Sequence, residues 1–446
     1  MKESFVNLVK DAGIVGAGGA GFPTHIKVDA KAQYIIINGA ECEPLLRVDQ
    51  QLMELYPQKL LEGLKLVIEH TQAEKGYVAL KSKYKNAVNN INQIIGDYNN
   101  ISMYTLDNFY PAGDEQVLVY EVTKKIVPEG GIPLNVGVIV LNVETVLHIY
   151  EAYHKNEAVT EKYVTVTGEV KNYGTVKVPI GITIEETINS LGGASIDNYS
   201  IINGGPMMGK IVSPKDTVTK TTKGLIVLSR DHPLITDITK EMAPMLREAR
   251  TACMHCSLCT EVCPRNLIGH RLEPHKLIRQ ESYTAIGSSE ELIKSAFLCC
   301  ECRLCQYACV MNLKPWQINS FLKAKMSKGG IRNSYNNTPE RPHPFREYKK
   351  FPVTRLIAKL GLTKYDKPAD IIELNEEKEE FNKVSIALKQ HIGVPATPIV
   401  QVGDDVNKGQ LIADIPESKI GSKIHASISG IVNEINNNTI IIVRSV

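Results

Sequence analysis

Eight cysteines stand in two matched runs, Cys253, Cys256, Cys259 and Cys263 in the first and Cys299, Cys302, Cys305 and Cys309 in the second. Both runs read C-x2-C-x2-C-x3-C, and Pro264 follows the first. Three cysteines at intervals of three place thiolates around a turning loop that can wrap one centre. The longer step to the fourth turns the chain away, and a proline helps to set that exit.

The spacing is that of a two-cluster bacterial ferredoxin, in which three thiolates of a run hold one [4Fe–4S] cluster and the fourth crosses to the other. Cys253, Cys256, Cys259 and Cys309 then form one ligand set, and Cys299, Cys302, Cys305 and Cys263 the other. Zinc sites use C-x2-C couples separated by a longer loop, so they fit this pattern less well. Disulfides do not suit a chain without signs of secretion. Cys300 lies inside the second run but out of register and reads as a packed thiol. Pro264 has no counterpart after Cys309, where Val310 follows. A chain with two such clusters moves electrons singly, and the remaining sequence must supply their source and destination.

At 446 residues the chain is too long for one core and is expected to form three or four domains. A formal net charge of +2 argues against a nucleic-acid partner. No apolar run approaches the ~18 residues needed to cross a bilayer, the longest being strand-like pieces such as Val136–Val143. The start, MKESFVNLVKDAG, lacks the apolar core of a signal peptide, so a cytoplasmic location is expected. From Arg247 to Arg332 there are 13 Lys and Arg against 7 Glu and no Asp. Basic neighbours offset the negative charge of a thiolate-bound cluster. A docking patch for an acidic partner is the sharper alternative.

Residues Gly16-Ala-Gly18-Gly19-Ala20-Gly21 satisfy G-x-G-x-x-G, yet the stretch before them, Phe5–Ala12, reads as helix and the clear strand, Tyr34–Asn38, comes after. A dinucleotide fingerprint must follow a strand and open a helix, so the loop alone says only that backbone amides approach something closely, most often phosphate. The longer string is more specific. GAGGAGFPTHIK at Gly16–Lys27 is followed by NGAECEP from Asn38, YPAGDE from Tyr110 and NVET from Asn142. Together these resemble the FMN-binding fold shared by the NADH-binding flavin subunit of complex I and by RnfC. The resemblance implies a cofactor site made by Gly16, Gly18, Gly19, Gly21, Lys27, Asn38, Glu43, Tyr110, Gly113, Glu115, Asn142 and Thr145. Cys42 replaces a glycine of the complex I form and Ala17 an arginine. Phe22 is a candidate for stacking on nicotinamide, with plain loop packing as its ordinary alternative.

Tyr163–Leu228 carries short strands, a helix-like Ile184–Leu191 and the glycine-rich turn Asn203–Gly209, and resembles an SLBB domain of β-grasp type. Its Met207-Met208 pair is expected to pack beneath a loop. Between 327 and 380 prolines and charges accumulate, then a helix-like Thr354–Leu360 and a Glu-rich run, which reads as a surface-wrapping linker. The last residues alternate short strands with glycine turns and resemble a barrel-sandwich hybrid. Glu417-Ser-Lys419 stands where a modified lysine would need Met-Lys-Met, so no swinging arm is expected. The expected fold is thus a multidomain α/β chain. It has a complex I flavin-subunit-like α/β domain at 1–155 and an SLBB β-grasp domain at 158–232. A helical two-[4Fe–4S] ferredoxin domain at 240–330, a linker at 331–382 and an RnfC-type barrel-sandwich hybrid at 383–446 complete it.

That module order most resembles the PduS-type cobalamin reductases associated with propanediol-utilisation microcompartments, over nearly the whole chain. The resemblance implies NADH as donor, FMN, two [4Fe–4S] clusters and a corrinoid or corrinoid-dependent enzyme system as acceptor. An adenosyltransferase and microcompartment shell proteins are implied as further partners, and encapsulation as a location. His255, His270 and His275 could ligate cobalt, but each reads better as a solvated or cluster-adjacent residue. The alternatives are an RnfC-like electron-input subunit of a membrane or other reductase complex, and a non-catalytic interaction protein with a decayed flavin site. The intact motifs speak against decay, and the barrel module sits at the opposite end from that of RnfC.

Overall fold

The computed structural model describes residues 2–239, 242–283, 289–372 and 381–445. The first module is built on four parallel strands, β1 (Tyr34–Gly39), β2 (Lys75–Lys81), β3 (Ile101–Leu106) and β5 (Val138–Asn142), in the order β3-β2-β1-β5. Their near-continuous apolar runs, such as Tyr34-Ile-Ile-Ile, are what a parallel sheet covered on both faces requires. Strand order reverses between β1 and β5, which places Asn38 beside Asn142 in register at the carboxyl ends of both strands. Open α/β sheets bind ligands at that kind of switch point. Asn142 also caps the helix Val143–Lys155, its side chain accepting from the Glu144 N–H.

The second module is a mixed sheet of β6 (Glu161–Gly168), β7 (Gly174–Pro179), β8 (Tyr199–Asn203), β9 (Lys210–Val212) and β10 (Gly224–Ser229). A capping box between Thr183 and Glu186 starts the expected helix at Ile184. Met207 is buried, but Met208 is 51% exposed, so the expectation that both pack beneath a loop fails for Met208. The Glu43 carboxylate, by accepting from the Met207 N–H, fixes the turn with the next side chain outward.

Short helices around the two cysteine runs follow, and Leu272, Leu277, Leu298, Leu313 and Leu322 supply their common core. The stretch that composition marks as a linker is more firmly held than that reading allows. Its β11 (Phe351–Pro352) pairs with β4 (Phe109–Tyr110), and its β12 (Ile371–Ile372) adds an edge strand beside β7. The helix Val353–Lys359 buries Leu356 and Ile357 against Tyr110, Ile226 and Leu304, so it joins three modules. Composition missed this because the apolar residues are few and spaced among charges. The Glu-rich run from 373 to 380 lies outside the described residues.

The last module has two small antiparallel sheets. One contains β13 (Lys383–Ala387), β15 (Asp405–Val406), β18 (Gly430–Ile435) and β19 (Thr439–Val443). The other contains β14 (Thr397–Pro398), β16 (Leu411–Asp414) and β17 (Ile424–His425). Its Val384, Ile386, Ile412 and Ile424 belong to one continuous apolar cluster with Phe5, Val9 and Ile14 of the first module. The two ends of the chain therefore pack together. Among the described residues no helix is long and apolar enough to cross a membrane.

Candidate functional site

The glycine loop is held from both sides. On one side the Ala17 N–H donates to Thr145 Oγ1 at 3.0 Å, and that hydroxyl donates to the Val15 carbonyl at 3.2 Å. Gly18 lies so close to Asn142 that a Cβ would sit 2.7 Å from its Nδ2. On the other side the last module backs the loop. The Ile392 N–H donates to the Gly21 carbonyl at 3.1 Å, and Gly21, at φ +72°, leaves no room for a side chain beside Thr221 and Gln390. Lys220 fastens the joint, reaching the carbonyls of Gly13 (2.6 Å) and Lys423 (2.7 Å). Burial pushes its ammonium down to about 7.

Between these supports the loop is open. A Cβ on Gly19 would meet nothing within 4 Å. Among the described residues the amides of Gly18, Gly19, Ala20 and Gly21 have no partner in the chain, whereas Gly16 bonds Phe22 at 2.9 Å. Free amides on a glycine turn are what an anionic phosphate group needs, so the loop fits a flavin mononucleotide. Phe22 is half-buried and serves the loop through that backbone pair.

The other residues singled out by sequence fall into two further groups. Lys27 Nζ pairs with Glu115 at 2.8 Å and donates to the Val140 carbonyl, and Asn38 Nδ2 donates to the Gly113 carbonyl at 2.9 Å. These four stand with the loop at the carboxyl end of the sheet. Glu43 and Tyr110 turn away from it. Tyr110 is 1% exposed, and its hydroxyl donates to the Cys302 carbonyl at 3.0 Å, with Glu43 Oε1 at 3.5 Å. Burial pushes the Glu43 carboxyl up to about 7, against the opposing pull of the Met207 amide and the Arg303 charge. Tyr110 is therefore a direct bridge between the flavin-like module and the second cysteine run.

Sequence reasoning missed a set of buried charges behind the loop. Asp49 accepts from Asn142 at 2.9 Å and pairs with Lys223 of the second module, while Glu144 pairs with Lys162. Glu41 caps the helix Val48–Leu55 by accepting from the Asp49 N–H at 2.8 Å. Lysines inside strand-like runs gave no sign of these partners. A second missed pair joins modules at the cysteines. Arg265, two residues past Cys263, bonds Asp114 at 2.8 Å, and Asp114 also caps the helix Glu115–Thr123.

The two cysteine runs follow one backbone path. The residue before the second cysteine and the residue after it take left-handed conformations in both, His255 (φ 57°) and Ser257 (58°) in the first, Glu301 (56°) and Arg303 (61°) in the second. The cysteines of the two runs lie near one another. Cys253, Cys256, Cys259 and Cys309 line one cavity. Burial and then the charges of Cys309, Cys253 and Cys256 push the Cys259 thiol up to about 12. Burial raises Cys263 and Cys305 as well; Cys263 also feels Cys299 and Cys300 of the second run, and Cys305 feels Cys299, then Cys259 and Cys263 of the first. Among the described residues no three His, Cys, Asp or Glu side chains gather tightly enough for a single ion. Four thiols around a wider space suit a cubane, whose cationic irons offset their mutual repulsion. Cys300 packs partly buried in the same apolar cluster as Cys42 and Tyr110. Of the three histidines considered for cobalt, His270 is buried on the Val127 carbonyl (2.9 Å), and half-buried His275 bonds Thr260 Oγ1 (2.7 Å). His255 is exposed.

Four domain families match along the chain. Residues 9–151 match the Nuo51 FMN-binding domain family, 163–210 the SLBB domain, 252–314 the 4Fe-4S dicluster domain and 368–445 the RnfC barrel sandwich hybrid domain. A protein of Salmonella typhimurium named cobalamin reductase PduS is 41% identical over 98% of this chain and 95% of its own length. A component of the Na(+)-translocating ferredoxin:NAD(+) oxidoreductase complex of Acetobacterium woodii is 35% identical over 59% of this chain and 58% of its own. A solved chain of an NAD+-reducing [NiFe]-hydrogenase in the H2-reduced state aligns with a TM-score of 0.48 at 17% identity, over 77% of this chain and 69% of that one.

Proposed function

The chain belongs to the PduS family of cobalamin reductases, and from that membership we propose that it takes electrons from NADH at FMN and delivers them through two [4Fe–4S] clusters to a corrinoid. When bound, the flavin splits a two-electron hydride into single electrons, the unit that the clusters accept. The observation that carries the reading is the Tyr110 hydroxyl on the Cys302 carbonyl, 3.0 Å, which seats the second-run cysteines against the module with the glycine loop.

In this reading Gly16, Gly18, Gly19 and Gly21 cradle the flavin phosphate with Thr145 and Asn142 behind them. Lys27, Asn38, Gly113 and Glu115 line the ring side. Glu43 and Tyr110 exclude water from the passage to Cys302, and the Asp114–Arg265 pair holds that passage at fixed width. Cys299, Cys302, Cys305 and Cys263 then hold the near cluster, and Cys253, Cys256, Cys259 and Cys309 the far one. The division into modules at 1–155, 158–232, 240–330, 331–382 and 383–446 belongs to the same proposal. So do the finer partners, an adenosyltransferase and shell proteins of a propanediol-utilisation microcompartment in which the chain would be enclosed.

Anaerobic reconstitution tests it. About eight irons and one non-covalent FMN per chain are expected, bleached by NADH and reoxidised by a cobalt(III) corrinoid. Zinc in place of iron, or bleaching with no corrinoid reduction, would overturn the reading.

A further inference from the structure

We propose that the corrinoid docks directly on the apolar rim above the first-run cysteines, formed by Met254, Val310 and Met311 with His255 at its edge. The inference rests on the reading above that a corrinoid is the acceptor, and adds where it binds and in what form. Of the eight thiols in the two sets, Cys256 alone is exposed. Electron transfer weakens steeply with distance, so an acceptor that stays outside the chain must approach there.

The rim is unusual for a surface. Met254 is 68% exposed, Val310 62% and Met311 43%, and all three line the cavity that the four thiols surround. They come from both runs, Met254 beside Cys253 and Val310 beside Cys309. The crossing that completes the thiol set therefore also assembles the rim. The corresponding part of the second run is covered. Cys300 is half-buried against the flavin-like module, and Arg303 lies over the Trp316 ring at 4.5 Å. Exposed apolar side chains are thus a property of this face and not of the cysteine motif.

Chemistry selects the occupant. No Asp, Glu, Lys or Arg lines this cavity, while the exposed Arg250 and Arg279 stand outside that lining. An acidic protein would need cations at the contact itself. A protein interface also needs about 800 Å² on each partner, and a few side chains cover only part of that. A corrin presents methyl-bearing ring faces rimmed by uncharged amide side chains, so it needs no ionic partner, and unbranched methionines adapt to such a face. In the step, cobalt(III) takes one electron, becomes cobalt(II) and releases an axial ligand to solvent. The electron is one of the two supplied by NADH oxidation at the flavin.

The test uses the full chain loaded with iron and FMN, with hydroxocobalamin as probe. Met254→Glu and Met311→Glu each set a carboxylate against the macrocycle. Equilibrium dialysis should show hydroxocobalamin bound at least about tenfold more weakly by either variant, with KM raised in parallel and iron content unchanged. Unaltered binding in both variants at full iron content would overturn the site, as would reduction only of corrinoid carried on another protein. A second measurement needs no variant. Cobalt(II) corrinoid should broaden the paramagnetic resonance of the first-run cluster and spare the second, and broadening of the second alone would refute the docking. Wild-type chain that binds hydroxocobalamin on this rim without reducing it would sink the proposed function and leave the site standing.

Discussion

The two cysteine runs have the same loop and opposite surroundings. Both put non-glycine residues into left-handed conformations at the same two places, a strain that four sulfurs around one centre justify. Yet Cys302 is buried with Tyr110 in the apolar cluster of three modules and Cys305 is buried too, while Cys256 faces solvent. Cysteine spacing dictates how a loop holds a cluster. Burial, which decides where that cluster stands in an electron path, comes from residues hundreds of positions away.

The largest effects should separate the runs outright. Cys302→Ser and Cys256→Ser should each lower NADH-driven corrinoid reduction by at least about a hundredfold, about 2.7 kcal/mol in the barrier. In Cys256→Ser the surviving cluster should still be reduced by NADH, and in Cys302→Ser it should not. Paramagnetic resonance after NADH addition reads the difference, and the reverse result would exchange the near and far positions. Cys263→Ala should likewise damage the cluster held mainly by the second run, which tests the crossing.

Gly19→Val should empty the flavin site and leave both runs loaded, because a branched side chain would occupy the open space that the free amides face. A flavin stoichiometry still near one would place the cofactor elsewhere. Asp114→Asn should cost about 3 kcal/mol by leaving Arg265 buried without a carboxylate. Denaturant melting of the loaded protein should show the loss, with the second-run cluster released first. Equal release of both clusters would mean that the pair does not belong to one run.

The smallest effect is a pH dependence peculiar to the second run. The Glu43 carboxyl is raised from 4.5 to about 7 by burial, so the folded chain keeps its proton while the unfolded chain has released it. That contribution is full below about pH 4.5, declines as pH rises, and is spent above about pH 7, a total of roughly 3 kcal/mol. Glu43→Gln should flatten the stability profile across that window. An unchanged slope would show that other groups set it.

Local chemistry was legible in the sequence. The cysteine intervals pointed to the thiols that line one cavity, and the order of glycine loop, Asn38, Gly113 and Asn142 pointed to an α/β flavin-type module. Three things were not legible. Lys162 and Lys223 look like ordinary strand lysines because their carboxylate partners lie in another module. The stretch before residue 373 reads as linker because its buried residues are spaced too irregularly for a period. The backing of the glycine loop depends on contacts such as Ser422 Oγ to the Gly13 carbonyl at 3.0 Å, 409 positions apart. Motifs record what a loop must bind, and they carry no trace of what holds the loop in place.

That backing gives the chain a timetable. Gly21 leaves the ribosome long before Ile392, its partner in the last module. At synthesis rates of about 5–20 residues per second the wait is roughly 20–70 s. Both cysteine runs emerge within that interval, so a nascent chain offers complete sets of thiols before it offers a finished glycine loop. The thiols are thus translated before the residues that back the glycine loop, and flavin capture that uses this backing must await Ile392.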